Sequence, residues 1–237
     1  MRRSISIIIP AFNEESRLPS TLKNVRSYLD QSQWEFAEIV VVDDGSRDST
    51  VAVAEKAGVR VLRNPGNRGK GYSVKHGMMQ AKGDWALFTD ADLSSPIEDM
   101  EKLWHAVERE DAAGAIGSRA LDRSLVGVHQ PAFREVMGRI FNLVMRLITG
   151  LPYQDTQCGF KLFATRAAHE IFTRQQADGF GFDVEVLFIA KQLGYKVVEV
   201  PVRWNDVAGT KVSLWRGMSA FFDPVKVRWN GLTGKYR

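Results

Sequence analysis

Short apolar runs alternate with stretches of helical spacing through the first half of this chain. Ser4-Ile5-Ser6-Ile7-Ile8-Ile9-Pro10 is a β-branched run closed by proline, and it predicts a buried strand. Ile39–Val42, Val59–Leu62, Trp85–Phe88 and Ala115–Ser118 predict four more. Between them the pattern predicts helices ending near Asp30, over 49–57, from the Asn67–Gly71 turn to about Ala81, and over 96–110. Ser95-Pro96-Ile97-Glu98 has capping-box spacing, with Ser95 as N-cap and proline at the first helical position. Strands joined to helices by short loops imply right-handed crossovers and a mainly parallel α/β sheet.

The alternation breaks after Arg119. Residues 120–131 read as a loop. Residues 132–149 read as a helix with Met137, Ile140, Phe141, Val144, Leu147 and Ile148 on one face and Arg134, Arg139 and Arg146 interspersed, a stripe that suits a core more readily than a lipid surface. Thr156–Phe163 predicts a strand, 165–174 and 183–193 helices, and Lys196–Val202 a last strand that Pro201 ends or makes an edge. No repeat, low-complexity tract or linker divides the chain.

With 237 residues, 44% of them hydrophobic and 25% charged, the chain suffices for one sizeable domain. Its single cysteine, Cys158, excludes an internal disulfide, points to a reducing compartment, and reads as a packed thiol before a nucleophile. No apolar run reaches about 18 residues and the start has no signal-peptide pattern, so a cytoplasmic protein without a spanning helix is expected. Charge divides 1–202 from 203–237. The second segment has seven basic residues against Asp206 and Asp223, a net +5, which leaves −1 for the first. Trp204, Trp215, Phe221, Phe222 and Trp229 alternate with those basic residues, a composition suited to an anionic membrane interface, or else to an amphipathic tail packed on the sheet.

Candidate chemistry lies at the ends of three strands. Asp90-Ala91-Asp92 follows the Trp85 strand, Asp43-Asp44-Gly45-Ser46 the Ile39 strand, and Phe12-Asn13-Glu14-Glu15 the first. An isolated Asp-x-Asp is commonly a solvated turn, and Asp-Asp-Gly-Ser a turn with a helix cap. Together the loops set Glu14, Glu15, Asp43, Asp44, Asp90 and Asp92 on one rim, where the repulsion has a purpose if nucleoside hydroxyls, base N–H groups and a metal on a diphosphate meet them. Asp90 and Asp92 are hard oxygen ligands suited to Mg²⁺ or Mn²⁺. No Gly-x-Gly-x-x-Gly follows the first strand and no Walker spacing occurs, though Arg68 and Lys70 near a helix start could touch phosphate or be solvated. An acidic rim also argues against nucleic acid as partner.

The ordered blocks Pro10–Glu15, Val42–Ser46, Gly69-Lys70-Gly71 and Asp90-Ala91-Asp92 resemble the inverting family-2 glycosyltransferases of GT-A (Rossmann-like) fold. Asp155–Phe163 looks most like the polyprenyl-phosphate branch, above all dolichyl-phosphate β-glucosyltransferases. The resemblance implies an enzyme with a catalytic domain over 1–202. In it Pro10, Phe12, Glu14, Asp43 and Asp44 hold the nucleoside, while Asp90 and Asp92 hold the metal. It implies that Arg119 and Arg134 gather positive charge around an acceptor phosphate, and that Arg203 and Lys211, with Lys70, meet the diphosphate. Related mannose synthases carry a glutamine as a further metal ligand where Ser94 stands here. Asp155 could orient the acceptor, act as base, or hold a turn. The reaction implied is glucose transfer from UDP-glucose to a dolichyl or undecaprenyl phosphate by an enzyme peripheral on the cytoplasmic face of a membrane. GDP-mannose as donor, a saccharide acceptor and a non-catalytic sugar-nucleotide-binding protein are the alternatives.

Overall fold

The computed structural model describes residues 4–128, 142–206 and 223–237. Its elements run β1 (Ser4–Ala11), α1 (Leu18–Gln31), β2 (Phe36–Asp43), α2 (Thr50–Lys56), β3 (Arg60–Arg63), α3 (Lys70–Met79), β4 (Trp85–Thr89), α4 (Met100–Glu110), β5 (Gly114–Ser118) and β6 (Val126–Val128). They continue with a helix over 142–149 (α5), β7 (Phe160–Ala164), α6 (Thr165–Arg174), α7 (Phe182–Gln192), β8 (Val197–Pro201), β9 (Trp204–Asn205) and α8 (Asp223–Leu232). The main sheet has the order β3-β2-β1-β4-β7-β5-β8, parallel except for β7, and β6 pairs with β9 in a small second sheet.

Both faces of the main sheet are covered, which is why its strands read as continuous apolar runs. Alternate residues serve opposite cores. Ile7 and Ile9 pack with α1 and α4 residues such as Leu22 and Trp104, whereas Ile8 packs with Val74 of α3, Ile171 of α6 and Leu187 of α7. The register opposes Pro10 to Val42 and Ala11 to Asp43, and β1 also pairs β4, so the carboxyl ends of β1, β2 and β4 lie side by side. Open α/β sheets bind ligands at that edge.

Four local expectations are corrected. Ser95 does not cap a helix: Ile97–Asp99 is a 3₁₀ turn, α4 begins at Met100, and the buried Ser95 hydroxyl lies 3.8 Å from the Cys158 thiol. The helix after Gly66 starts only at Lys70, because Gly69 stands at φ +107°, outside the helical region. β7 starts at Phe160, since the Gln157 N–H turns back to Asp155 Oδ1 at 3.1 Å and Glu199 accepts the N–H groups of Gln154 and Asp155, which holds the preceding segment as a turn. β6 forms inside the expected 120–131 loop, where β9 supplies a partner. Of the helix expected over 132–149, the described part, 142–149, is helical. β8 is an edge strand, as Pro201 requires.

Candidate functional site

The loops after β1 and β2 are built into one another. Asn13 N–H donates to Ser46 Oγ at 2.9 Å, Arg47 N–H to Asn13 Oδ1 at 2.7 Å, and Glu14 N–H to Thr50 Oγ1 at 2.7 Å. Glu15 accepts from Ser49 N–H at 2.8 Å, so this rim carboxylate serves the start of α2. Neighbouring aspartates also part ways. Asp43 turns back to its own loop, accepting from Gly45 and Ser46 N–H, while Asp44 reaches across to Arg68 N–H and Gly69 N–H, both at 2.8 Å, and to Asn64 Nδ2 at 2.9 Å. Gly69 permits that approach: its φ is +107° and a Cβ there would sit 2.5 Å from the Asp178 carbonyl oxygen.

A cleft of about 430 Å³ opens over this edge. Pro10 lines it from the end of β1, Phe12 and Glu14 from the loop that follows, Asp44 from the loop after β2, Arg68 and Lys70 from before and at the start of α3, and Asp90 and Asp92 from the loop after β4. Cations answer the acids. Lys70 Nζ lies 2.6 Å from Asp90 Oδ1 and Arg17 is 3.3 Å from Glu14. Burial opposes the Lys70 charge, but Asp90, Asp183 and Asp92 outweigh it and raise its pKa.

The Asp90–Asp92 loop is held from outside. Thr21 Oγ1 donates to the Ala91 carbonyl at 2.6 Å, Ser94 N–H to Asp92 Oδ1 at 3.0 Å, and Asn205 N–H to the Ser94 carbonyl at 2.9 Å. Leu93 has φ +47° and Asn13 φ +55°, so two of the described non-glycine residues in the left-handed region are in cleft loops. Gly159 abuts the Asp90 carboxylate so closely that any Cβ would collide with it. Among the described residues no cluster of three metal-ligating side chains occurs. The donors present, two aspartate carboxylates open to a cleft, nonetheless fit a hard divalent ion that takes its remaining oxygens from phosphate and water. Asp90 and Asp92 would hold it.

Other expected residues lie elsewhere. Asp43, Arg119, Asp155 and Arg203 are not among those lining the cleft, and Arg134 and Lys211 fall outside the described residues. Arg203 is bonded to buried Asp99 through its backbone N–H at 2.6 Å and Nε at 2.9 Å, which anchors the chain leaving β8. Arg119, at the end of β5, grips Asp155 through Nε at 2.6 Å and Nη2 at 2.9 Å, with the Trp204 ring 5.5 Å away. Burial would raise the Asp155 pKa, but the Arg119 guanidinium and the surrounding N–H donors hold it down at about 2. A carboxylate so engaged is a poor base, and its visible task is to fix Arg119. The Cys158 thiol is buried and its pKa pushed up by that burial to about 11, the behaviour of a packed thiol.

Because the Asp155 carboxyl ordinarily titrates at 3.8, its native state binds fewer protons than the unfolded chain between about pH 4 and 2. Stability from this pair is full above that window and is lost as pH falls through it, a contribution of about 2 kcal/mol. Acid titration of the unfolding free energy in wild type and Asp155→Asn checks this: the variant is less stable at neutral pH and shows a shallower decline below pH 4. Parallel curves would refute it.

Sequence reasoning missed several cleft residues. Arg17 stands two residues beyond the Pro10–Glu15 block and was legible as a cation near Glu14, but Gly179 and Phe180, just before α7, and Asp223, at the start of α8, carry no local signal. It also missed the pair beneath the cleft, Lys161 of β7 with Asp183 of α7. Lys161 is wholly buried, donates to the Cys158 carbonyl at 2.7 Å and ion-pairs with Asp183. Burial pushes the Asp183 carboxyl up while Lys161 and Lys70 pull it down, and the net direction is upward.

Residues 6–172 match the family model described as glycosyl transferase family 2. A dolichyl-phosphate β-glucosyltransferase of Drosophila melanogaster is 38% identical over 98% of this chain and 77% of its own length. The human protein of that name is 34% identical over 99% and 78%, and that of Saccharomyces cerevisiae 32% over 98% and 76%. The chain thus spans about three quarters of these relatives. Among solved structures, glucosyl-3-phosphoglycerate synthase from Mycobacterium tuberculosis, crystallised with Mn²⁺, UDP and phosphoglyceric acid, superposes with a TM-score of 0.70 at 21% identity over 99% of this chain and 78% of its own. Mannosyl-3-phosphoglycerate synthase from Rubrobacter xylanophilus gives 0.72 at 18% identity over 98% and 75%. These two establish the GT-A fold. With the family model covering well over half of its length and relatives above 30% identity along nearly all of it, the chain belongs to glycosyltransferase family 2.

Proposed function

We propose that this enzyme transfers glucose from UDP-glucose to a polyprenyl phosphate, with Mg²⁺ or Mn²⁺, at the cytoplasmic face of a membrane. The observation that carries the reading is the cleft at the carboxyl edge of the sheet, where Asp90, Asp92, Lys70 and Arg68 stand together. The names of the relatives support glucose and a dolichyl-phosphate acceptor. When bound, the divalent ion supplies Lewis-acid stabilisation of the departing diphosphate. Lys70 and Arg68 hold positive charge on the same side of the cleft, where negative charge develops on the leaving oxygen. The acceptor comes from the opposite face of the sugar and inverts the anomeric carbon. A phosphate monoester with a second pKa near ~6 is largely ionised at neutral pH and needs no protein base. That suits a chain whose Asp155 is fully engaged by Arg119. Arg119, 30% exposed, is the cation this reading offers to the acceptor phosphate.

Labelled UDP-glucose or GDP-mannose, offered with short polyprenyl phosphates and then extracted into the lipid phase, tests the reaction. Label from UDP-glucose is expected. Label only from GDP-mannose would reassign the donor, and none from either would refute the proposal.

No described helix is long and apolar enough to cross a membrane. Attachment through α8 answers the need for a lipid substrate. Val225, Trp229 and Leu232, at 55%, 64% and 69% exposure, share one helical face, with Lys226 and Arg228 beside them and Lys235 and Arg237 following. Trp229→Glu is expected to weaken sedimentation with phosphatidylglycerol vesicles about tenfold, as a large apolar contact is lost and a like charge gained. Unaltered sedimentation would remove α8 from the interface.

A further inference from the structure

The C-terminal helix is tied to the cleft at two points. At its start, Asp223 lines the cleft and its carboxylate presses on Gly181, at the beginning of α7. Beyond its end, Tyr236 returns into the core and donates from its hydroxyl to Glu185 Oε1 at 2.7 Å, with its ring 6.1 Å from Phe188 in an edge-on contact. Val227 and Tyr236 are buried in the core beneath α7, so this helix packs as part of the domain.

Glu185 is 1% exposed, and its other oxygen accepts from the backbone N–H groups of Gln176 at 2.9 Å and Ala177 at 2.7 Å. Its three donors are thus neutral groups, an expensive way to bury a carboxylate unless every bond is kept. Those two backbone groups belong to the segment that forms the α7 side of the cleft. Gln175 Nε2 donates to the Gly71 carbonyl at 3.0 Å, Tyr72 N–H to the Asp178 carbonyl at 3.1 Å, and Gly179 and Phe180 face the cleft itself. An unbroken series of hydrogen bonds therefore runs from Tyr236 through Glu185 to the 176–180 segment and on to the start of α3, where Lys70 stands.

We infer that the Tyr236–Glu185 hydrogen bond fixes the 176–180 wall of the cleft, so that the C-terminal helix is a positioning element for the nucleotide sugar and Tyr236 a positioning residue. The inference rests on the cleft being the donor site, as proposed above. Without the phenol hydroxyl, Glu185 loses one of three donors, and the wall it holds loses its fixed distance from Lys70 and Asp90. The fold is kept, because a phenylalanine ring fills the same space. Donor binding weakens more than turnover at saturation, since the wall orders the bound nucleotide and does not touch the acceptor.

The full chain is titrated with UDP and with GDP in the presence of Mn²⁺, as wild type, as Tyr236→Phe, and as Tyr195→Phe, which removes a hydroxyl beside Glu170 on the far surface. Thermal unfolding is followed for each, and donor KM and kcat are measured with polyprenyl phosphate. Tyr236→Phe is expected to raise the nucleotide Kd and donor KM about five- to tenfold with less than a twofold change in kcat, a loss in the range of one ordinary intramolecular hydrogen bond. Tyr195→Phe leaves both constants unchanged. A lowered melting temperature with unaltered Kd and KM in Tyr236→Phe would make the bond merely structural and overturn the inference. If that variant fails to fold, Glu185→Gln, which keeps the chain length and one acceptor, is judged by the same constants. Wild type that binds neither nucleotide would instead bring down the donor-site reading, and this inference with it.

Discussion

Asp92→Asn is expected to lower kcat/KM about 100- to 1000-fold while leaving the melting temperature unchanged or slightly higher. The carboxylate is partly exposed in the cleft and its protein partner is the Ser94 N–H, a bond that the asparagine carbonyl oxygen can keep. Its negative charge therefore does little for the fold, and two carboxylates one residue apart repel each other. On the proposed reading the charge serves function. Removing one group that stabilises developing charge costs about 100- to 1000-fold in other enzymes, and in the proposed site the residue would also be half of the donor set for a divalent ion. A readout independent of turnover is the Mn²⁺ dependence of UDP binding, which should be lost in the variant. Asp90→Asn should behave differently, because Asp90 also pairs with Lys70 at 2.6 Å, so some stability falls together with activity. Wild-type kcat/KM in Asp92→Asn would refute the assignment of the site.

Lys161→Met is expected to destabilise the protein by about 3–5 kcal/mol, the effect of removing one partner of a buried ion pair. Methionine matches the stem in length, so packing against Phe88, now 5.2 Å from the ammonium, is largely kept. What is lost is the charge opposite Asp183, whose side chain is 5% exposed and already pushed upward by burial. At 237 residues a loss of this size lowers the melting temperature by roughly 10 °C. The paired replacement Lys161→Met with Asp183→Leu should recover most of it, since apolar residues of similar volume commonly replace a buried pair without penalty. Differential scanning calorimetry of the single and double variants decides. A single variant as stable as wild type would show that Asp183 finds adequate compensation in Lys70.

β1, β2 and β4 were legible because a strand covered on both faces must be apolar at nearly every position, and such runs stand out against flanking turns. Their carboxylates were legible as a group, because each run ended in an acidic loop. Individual fates were not. Asp43 and Asp44 are chemically identical neighbours, yet one closes its own loop while the other reaches Arg68 and Gly69, residues brought near by the fold. Ser95 had the sequence of a cap but is buried against Cys158, where packing outweighed local preference. Arg203 had the charge for a diphosphate but was claimed by Asp99, 104 residues away.

The sequence alone determined the α/β class, the mainly parallel sheet, the family and the acidic rim that includes Asp90 and Asp92, because these depend on local periodicity and on short ordered motifs. Tertiary structure decided the rest: that β7 runs antiparallel between β4 and β5, that Asp155 belongs to Arg119, that Lys161 and Asp183 lie buried under the cleft, and that Asp223 and Tyr236 bring the C-terminal helix into it. Each of these joins residues far apart in the chain. Which distant groups become neighbours is settled by how the layers pack, and no local pattern of polar and apolar positions encodes that.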